Sequence, residues 1–272
     1  MYIDEKTNKE SELETLPQHI QDAIQLQKLS AVPVMKPINI LFIAEKTAGA
    51  KLANWFYREY EDILYYQDDG GIGCYIRHSS DPRLAIYDNI YSDSVLSTRS
   101  MYEQLNEYEL NPVERDESDV PICSIITTET GEIDDSRPIR EQVNLSAGVY
   151  SAFDLIFTLD ECKMSYDEIE LIDEDNMVEP PKNEFIQFYS ESMYDKAVTS
   201  DGFSYVQEIY QDMREPADFN YIPNSAYKIQ PWIMIATAYA VAQDADDITL
   251  TQFKQAKELI FKSLQDIDYK RI

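Results

Sequence analysis

Short, uninterrupted apolar runs recur along the chain, separated by loops and by segments with helical spacing. The runs lie at residues 38–43, 84–87, 122–127 and 153–159. Such a run is typical of a strand buried on both faces of a parallel sheet, since an antiparallel strand with one wet face would alternate polar and apolar residues. Parallel strands also need a crossover between them, commonly a helix. The pattern therefore predicts an α/β fold whose parallel sheet is flanked by helices.

Helical segments surround these runs and dominate the C-terminal third. Residues 17–29 have helical spacing with Pro17 in the first turn, a position that tolerates proline. A loop and a helix at about 48–60 follow the first apolar run. Beyond residue 184 we predict only helices, near residues 184–196, 202–213, 226–242 and 250–266.

A carboxylate-rich segment separates the two parts. Residues 160–184 carry Asp173, Glu174 and Asp175 at their centre and two prolines near their end, so they can bury little apolar surface. We predict a polar N-terminal tail at 1–16, an α/β core at 17–160, an acidic linker at 161–184 and a helical lid at 185–272. The linker is either simply solvated or a mimic of DNA phosphates.

The charge balance restricts the partners. Against 23 Lys and Arg stand 51 Asp and Glu, a formal net charge of −28. Such a surface repels nucleic acid and anionic lipid unless the basic residues are segregated, and the sequence shows no such segregation. We therefore expect a protein partner, and neither direct DNA binding nor membrane binding.

Cysteine and hydropathy patterns point to the cell interior. Cys74, Cys123 and Cys162 lie far apart, and the chain has two histidines, so neither a zinc site nor a disulfide framework is predicted. No charged-then-apolar leader follows Met1, and the apolar run at 232–242 is shorter than the roughly 20 residues that span a bilayer. We expect a cytoplasmic protein, or a nuclear one in a eukaryote.

The most specific motif pairs PIREQVNL at residues 138–145 with VYSAFDLIFTL at 149–159. This pair resembles the segment of MCM replicative helicases that carries their arginine finger. The resemblance covers most of the chain from Pro17 onward, and it implies an AAA+ P-loop-like parallel sheet flanked by helices with a C-terminal all-helical lid. Where that family has arginine, this chain has Ala152. An arginine finger is worth roughly 10³ to 10⁵ in rate, and alanine offers no charge.

The P-loop position departs from the family in the same way. A P-loop needs glycines whose N–H groups wrap phosphates, a lysine for the β and γ phosphates and a hydroxyl for magnesium. The segment AEKTAGAK at 44–51 aligns Ala50 with the lysine and Lys51 with the hydroxyl. A one-residue shift turns the lysine about 100° around a helix, although a loop adjustment would restore Lys51. The resemblance implies a vestigial nucleotide pocket of Lys46, Thr47, Gly49, Lys51 and Asp88.

The remaining catalytic positions are also changed. The run at 84–88 resembles the Walker B strand, and Asn89 replaces the glutamate that would polarise the attacking water. Glu129 stands at the sensor 1 position and Tyr227 at the sensor 2 arginine. Residues 110–120, where the family extends a basic DNA hairpin, are short and acidic. We therefore expect no catalytic residues, no metal and no cofactor, with ATP and magnesium disfavoured.

Three functions follow from these observations. The first is a catalytically inactive MCM-like AAA+ module that acts in DNA replication through protein contacts, such as binding or modulating an active MCM-type helicase. The second is an ATP-binding MCM-like helicase or mobile-element replication protein with an unconventional P-loop using Lys46 or Lys51. The third is an acidic DNA-mimic inhibitor. A chance match by an unrelated α/β protein also remains open.

Two residue classes have structural explanations that we favour over functional ones. Asp154 precedes a buried strand, where a carboxylate usually accepts a hydrogen bond from a backbone donor. The tyrosines lack basic neighbours, so packing is favoured over base stacking; those considered are Tyr57, Tyr60, Tyr65, Tyr66, Tyr87 and Tyr91.

Overall fold

The described strands all lie within the first 160 residues, and the described elements beyond residue 195 are helices and one isolated bridge between Val198 and Ile248. The computed structural model describes residues 16–30, 37–59, 63–68, 73–78, 84–88, 121–143, 145, 153–160, 196–214 and 229–266. The strands are β1 (Ile40–Ala44), β2 (Ile63–Asp68), β3 (Gly73–His78), β4 (Leu84–Asp88), β5 (Ile122–Thr127) and β6 (Leu155–Leu159). The helices are α1 (Gln18–Leu29), α2 (Lys46–Glu59), α3 (Ser200–Arg214), α4 (Ile229–Ala242) and α5 (Leu250–Asp266), with a 3₁₀ turn at Ile139–Glu141.

The sheet has the order β3-β2-β4-β5-β1-β6. Every neighbouring pair is parallel except β2 and β3. The four predicted apolar runs form the contiguous strands β4, β5, β1 and β6, which confirms the α/β fold with a parallel sheet flanked by helices. The β2–β3 hairpin was not predicted, because its strands ILYYQD and GCYIRH mix polar and apolar residues.

The strands that bury both faces divide the core into two layers. Ile40, Phe42 and Ala44 of β1 belong to the larger cluster, which includes residues of α1, α2 and the three C-terminal helices. Leu41 and Ile43 belong to a smaller cluster on the opposite face, with residues from the 3₁₀ region. This alternation explains the uninterrupted apolar run of β1, since both faces are covered.

The C-terminal helices pack on the sheet. Helix α4 is apolar on all sides because α1, α3 and α5 surround it, which accounts for the run at 232–242. Helix α5 covers β6, and Gly202 of α3 lies so close to Phe253 that an added Cβ would stand 2.8 Å from two ring atoms. The predicted boundaries of the linker and lid stay predictions, and residues 161–195 lie outside the described ranges.

Helix α5 begins at the predicted residue because its first turn is capped. The Gln252 Oε1 atom accepts hydrogen bonds from the Thr249 N–H at 3.0 Å and from the Thr249 hydroxyl at 2.7 Å. The Thr249 hydroxyl in turn accepts from the Thr251 N–H at 3.2 Å. This reciprocal capping box satisfies donors that a helix end would otherwise leave open. Among the described helices, none is both long and apolar enough to cross a membrane.

The strand ends at Ile40, Ile122 and Leu155, here called the amino edge, are joined by buried polar side chains. The Asn39 Oδ1 atom accepts from the Ile122 N–H at 2.9 Å, and the Asp154 carboxylate accepts from the Asn39 N–H at 2.9 Å. The Gln27 amide donates to the carbonyls of Ile38 and Ile122, each at 3.0 Å. The predicted structural role of Asp154 is therefore confirmed.

Candidate functional site

The functional candidates lie at the opposite end of the sheet, where β1, β4, β5 and β6 finish at Ala44, Asp88, Thr127 and Leu159. This end is called the carboxyl edge below. Open α/β sheets bind ligands outside the carboxyl ends of their strands. Asp88 is the last residue of β4, and the other predicted pocket residues lie in α2 directly after β1. The topology thus brings all five to one edge.

Strand β5 lies between β1 and β4. Its Ile126 pairs with Ile43 of β1, and its Ile125 pairs with Asp88 of β4. Two strand spacings separate β1 from β4, roughly 10 Å. Asp88 is therefore not a direct neighbour of the α2 start, and any ligand that touched both would have to lie across the end of β5.

The connection from β1 to α2 is one residue long. Ala44 ends the strand, Glu45 follows, and Lys46 begins the helix. Lys46, Thr47, Gly49 and Lys51 are consequently helical residues, and the helix starts two positions earlier than predicted. A phosphate cradle requires successive loop N–H groups that curve around the anion. A single connecting residue does not supply such a loop.

The four α2 candidates have different surroundings. Lys46 is exposed, whereas Thr47 and Lys51 are half-buried and Gly49 is buried. A Cβ added at Gly49 would lie 3.2 Å from the Ala44 Cβ and 3.4 Å from a methyl carbon of Ile125. Gly49 thus allows the helix to approach the sheet closely, which is a packing role. The side chain of Asp88 lies outside the described part of the structure.

Backbone groups close the start of α2. The Lys46 N–H donates to the Gly131 carbonyl at 2.9 Å, and the Thr128 N–H donates to the Ala44 carbonyl at 3.2 Å. The Glu45 carboxylate accepts from the Ile133 N–H at 3.2 Å. The Lys46 donor, which an anion at a helix start would use, is thereby taken by the chain itself.

The segment at 128–142, here called the β5 loop, is organised by the buried side chain of Gln142. Its amide donates to the carbonyls of Asp134 at 2.8 Å and Arg137 at 3.0 Å, and its Oε1 atom accepts from the Asp134 N–H at 2.8 Å. The Gln142 carbonyl also accepts from the Glu129 N–H at 2.9 Å. Sequence reasoning missed this role, because Gln142 stands among the charged and polar residues Arg140, Glu141 and Asn144 and no local pattern marks it as buried.

Negative charge dominates the exposed side of the β5 loop. Its exposed carboxylates are Glu129, Glu132, Asp134, Asp135 and Glu141, and Arg137 is the exposed cation among the side chains that the structure describes in this loop. The pKa of Asp134 lies below its ordinary value because the hydroxyl and N–H of Ser136 both donate to the carboxylate. Such a surface disfavours a bound phosphate. Within the described ranges, no group of three or more His, Cys, Asp or Glu is placed to hold a metal ion.

The aromatic residues and the remaining motif positions divide between described and undescribed parts. Tyr57 and Tyr87 are buried, which confirms packing for these two. Glu129, at the sensor 1 position, is exposed. The other substituted positions, Ala152, Asn89 and Tyr227, lie outside the described residues, as does the hairpin segment at 110–120.

Comparison with known proteins assigns no family. No protein-family model matches the chain, and no curated protein matches its sequence. The structure is therefore an α/β fold with a parallel sheet and packed C-terminal helices.

Proposed function

We propose that the protein is a catalytically inactive, MCM-like AAA+ module that acts in DNA replication through protein contacts, by binding or modulating an active MCM-type helicase. The family part of this proposal rests on the motif pair at 138–145 and 149–159. The inactive part rests on the carboxyl edge, where one residue joins β1 to α2 and the chain itself bonds the start of the helix.

The position of β5 supports the family part. The resemblance assigns β5 as the sensor 1 strand and places the sensor position at Glu129, shortly after the strand ends at Thr127. That role requires a strand adjacent to β1 with the same direction, and β5 is parallel to β1 along its whole length. The described strands are thus compatible with the roles that the resemblance implies for them.

The single observation that carries the inactive part is the bond between the Lys46 N–H and the Gly131 carbonyl. A phosphate at a helix start is held by free N–H donors and by the helix dipole. Here the first donor is used within the protein, and the adjacent Glu45 carboxylate adds like charge. An active nucleotide site would need an open N–H donor at the start of the helix and no negative charge beside it.

Charge supports a protein partner over DNA. The chain carries a formal net charge of −28, so a basic channel or DNA-binding surface on a helicase would complement it. AAA+ subunits assemble by placing the core of one against the lid of the next. A copy without catalysis could therefore cap, block or join such a ring.

A thermal melt tests the nucleotide half of the proposal. A ligand that binds only the folded state raises the melting temperature by mass action. We expect no rise for the purified protein in millimolar Mg-ATP. A rise of several degrees that Lys51→Ala or Lys46→Ala abolishes would favour the ATP-binding alternative, with Lys254→Ala at an exposed position of α5 as the matched control.

A helicase assay tests the partner half. We expect the purified protein to change the ATPase or unwinding rate of a purified MCM-type helicase from the same source in a dose-dependent manner. An unchanged rate together with no detectable binding would refute the proposal. Binding that double-stranded DNA displaces in a salt-sensitive manner would favour the DNA-mimic alternative, and charge reversal of Asp173, Glu174 and Asp175 would then locate the mimic.

A further inference from the structure

We infer that the β5 loop is a built-in plug that occupies the start of α2 in place of an anion and holds the carboxyl edge in one shape without nucleotide. The inference rests on the proposed function for its significance, since a plug matters only where a nucleotide would otherwise bind. Residues 128–142 hold Ala44, Glu45 and Lys46 through three hydrogen bonds.

The first contact places a carbonyl where an anion would lie. Gly131 has a φ of 82°, and its carbonyl accepts from the Lys46 N–H at 2.9 Å. Positive φ is costly for residues with a side chain, so the turn that aims this carbonyl at the helix depends on glycine. The partial negative charge of the carbonyl faces the positive end of the helix dipole, as a phosphate oxygen would.

Two further contacts tie the loop to the strand end. The Ile133 N–H donates to the Glu45 carboxylate, and the Thr128 N–H donates to the Ala44 carbonyl. Donors and acceptors therefore cross in both directions between the loop and the β1–α2 connection. An incoming anion would have to break the Gly131 bond while meeting the charge of Glu45.

The loop itself is anchored in the core. The partly buried side chain of Ile133 packs against the smaller core cluster, to which Ile139 and Val143 also belong. Gln142 adds three side-chain hydrogen bonds within the loop, to Asp134 and Arg137. Opening the plug therefore requires a cooperative rearrangement of the loop, and the surface at the carboxyl edge keeps its shape whether or not nucleotide is present.

Amide hydrogen exchange of the full chain, followed by NMR, tests the plug. Gln142→Leu should raise the exchange rates of the Lys46 and Ile133 amides at least tenfold relative to the Phe42 amide. Without the Gln142 side-chain hydrogen bonds, local opening of the loop costs less free energy. Gln27→Leu is the matched control. This variant removes a different buried glutamine, which lies at the amino edge. It should not raise the exchange rates of the Lys46 and Ile133 amides more than those of other amides.

Two results would overturn the inference. One is an unchanged ratio of Lys46 to Phe42 exchange in Gln142→Leu. The other is a shift of the Lys46 amide resonance of the wild-type protein on addition of millimolar inorganic pyrophosphate, since this would show that the donor is accessible to an anion. If Gln142→Leu does not fold, Glu45→Ala replaces it and should raise Ile133 exchange by a similar factor.

The hydrogen-exchange experiment and the helicase assay test the plug and the proposed function independently. Absence of any effect on a helicase would refute the proposed function and leave the exchange results unchanged. Conversely, an unchanged exchange rate of the Lys46 amide in Gln142→Leu would refute the plug while leaving helicase binding intact.

Discussion

The two ends of the parallel sheet use polar residues in opposite ways. At the amino edge, Asn39, Asp154 and Gln27 are buried and bond backbone groups that are distant in sequence. At the carboxyl edge, most polar side chains are exposed, and one buried amide, Gln142, organises a local loop. The amino edge is thus built for stability and the carboxyl edge presents a charged surface, which matches the usual location of function in α/β sheets.

The largest expected effect is at the amino edge. Asn39→Leu keeps the volume of the buried side chain but leaves the Ile122 N–H without its acceptor. We expect the free energy of unfolding to fall by about 2–3 kcal/mol, because the donor is buried away from water. Urea denaturation followed by circular dichroism measures it. A loss below about 0.5 kcal/mol would remove the contrast between the two edges.

A smaller loss of stability is expected when the side-chain hydrogen bonds of Gln142 are removed at the carboxyl edge. Gln142→Leu removes hydrogen bonds to Asp134 and Arg137, but both residues are exposed, so water can replace part of what is lost. We expect a fall in the free energy of unfolding of about 1–2 kcal/mol by the same denaturation measurement. A loss as large as that of Asn39→Leu would show that the carboxyl edge is as structural as the amino edge.

A change of pH in the β5 loop is expected to affect stability less than either of these substitutions. The pKa of Asp134 lies below its ordinary value of 3.8 because Ser136 donates to the carboxylate. Its contribution to loop order is therefore complete above that ordinary pKa and is lost as the pH falls through the lowered folded-state pKa. Ser136→Ala should raise the pKa of Asp134 toward 3.8 in an NMR titration.

The same titration contains its own control. The pKa of Asp201 is also lowered, by hydrogen bonds from Thr199 and the Gly202 N–H in α3. Ser136→Ala should leave the pKa of Asp201 unchanged. If both values move together, the effect belongs to the whole protein and the local explanation fails.

The smallest effect is expected at the exposed residue Glu129. Glu129→Gln removes a charge but no described side-chain contact, so stability should change by less than about 0.5 kcal/mol. Thermal melting checks this expectation. A clear stabilisation would show that repulsion among the loop carboxylates is stored at the carboxyl edge, and this would sharpen the contrast with the amino edge.

The sequence predicted some elements of the fold and missed others. The apolar strands β1, β4, β5 and β6 and the described helices could be predicted because burial on both faces produces apolar runs and burial on one face produces helical spacing. The β2–β3 hairpin escaped because its strands lack either pattern. At the carboxyl edge, neither the one-residue β1–α2 connection nor the hydrogen bonds of Gln142 were evident from the sequence.

The sequence by itself determined the fold class and the excess of negative charge. These properties depend on composition and on local spacing, which can be read along the chain. Only the tertiary structure decided that Gly131 reaches the start of α2, that Asn39 and Asp154 join the amino edge, and that α4 lies at the centre of the C-terminal helices. Those contacts join residues distant in sequence, and no local pattern encodes which donor meets which acceptor.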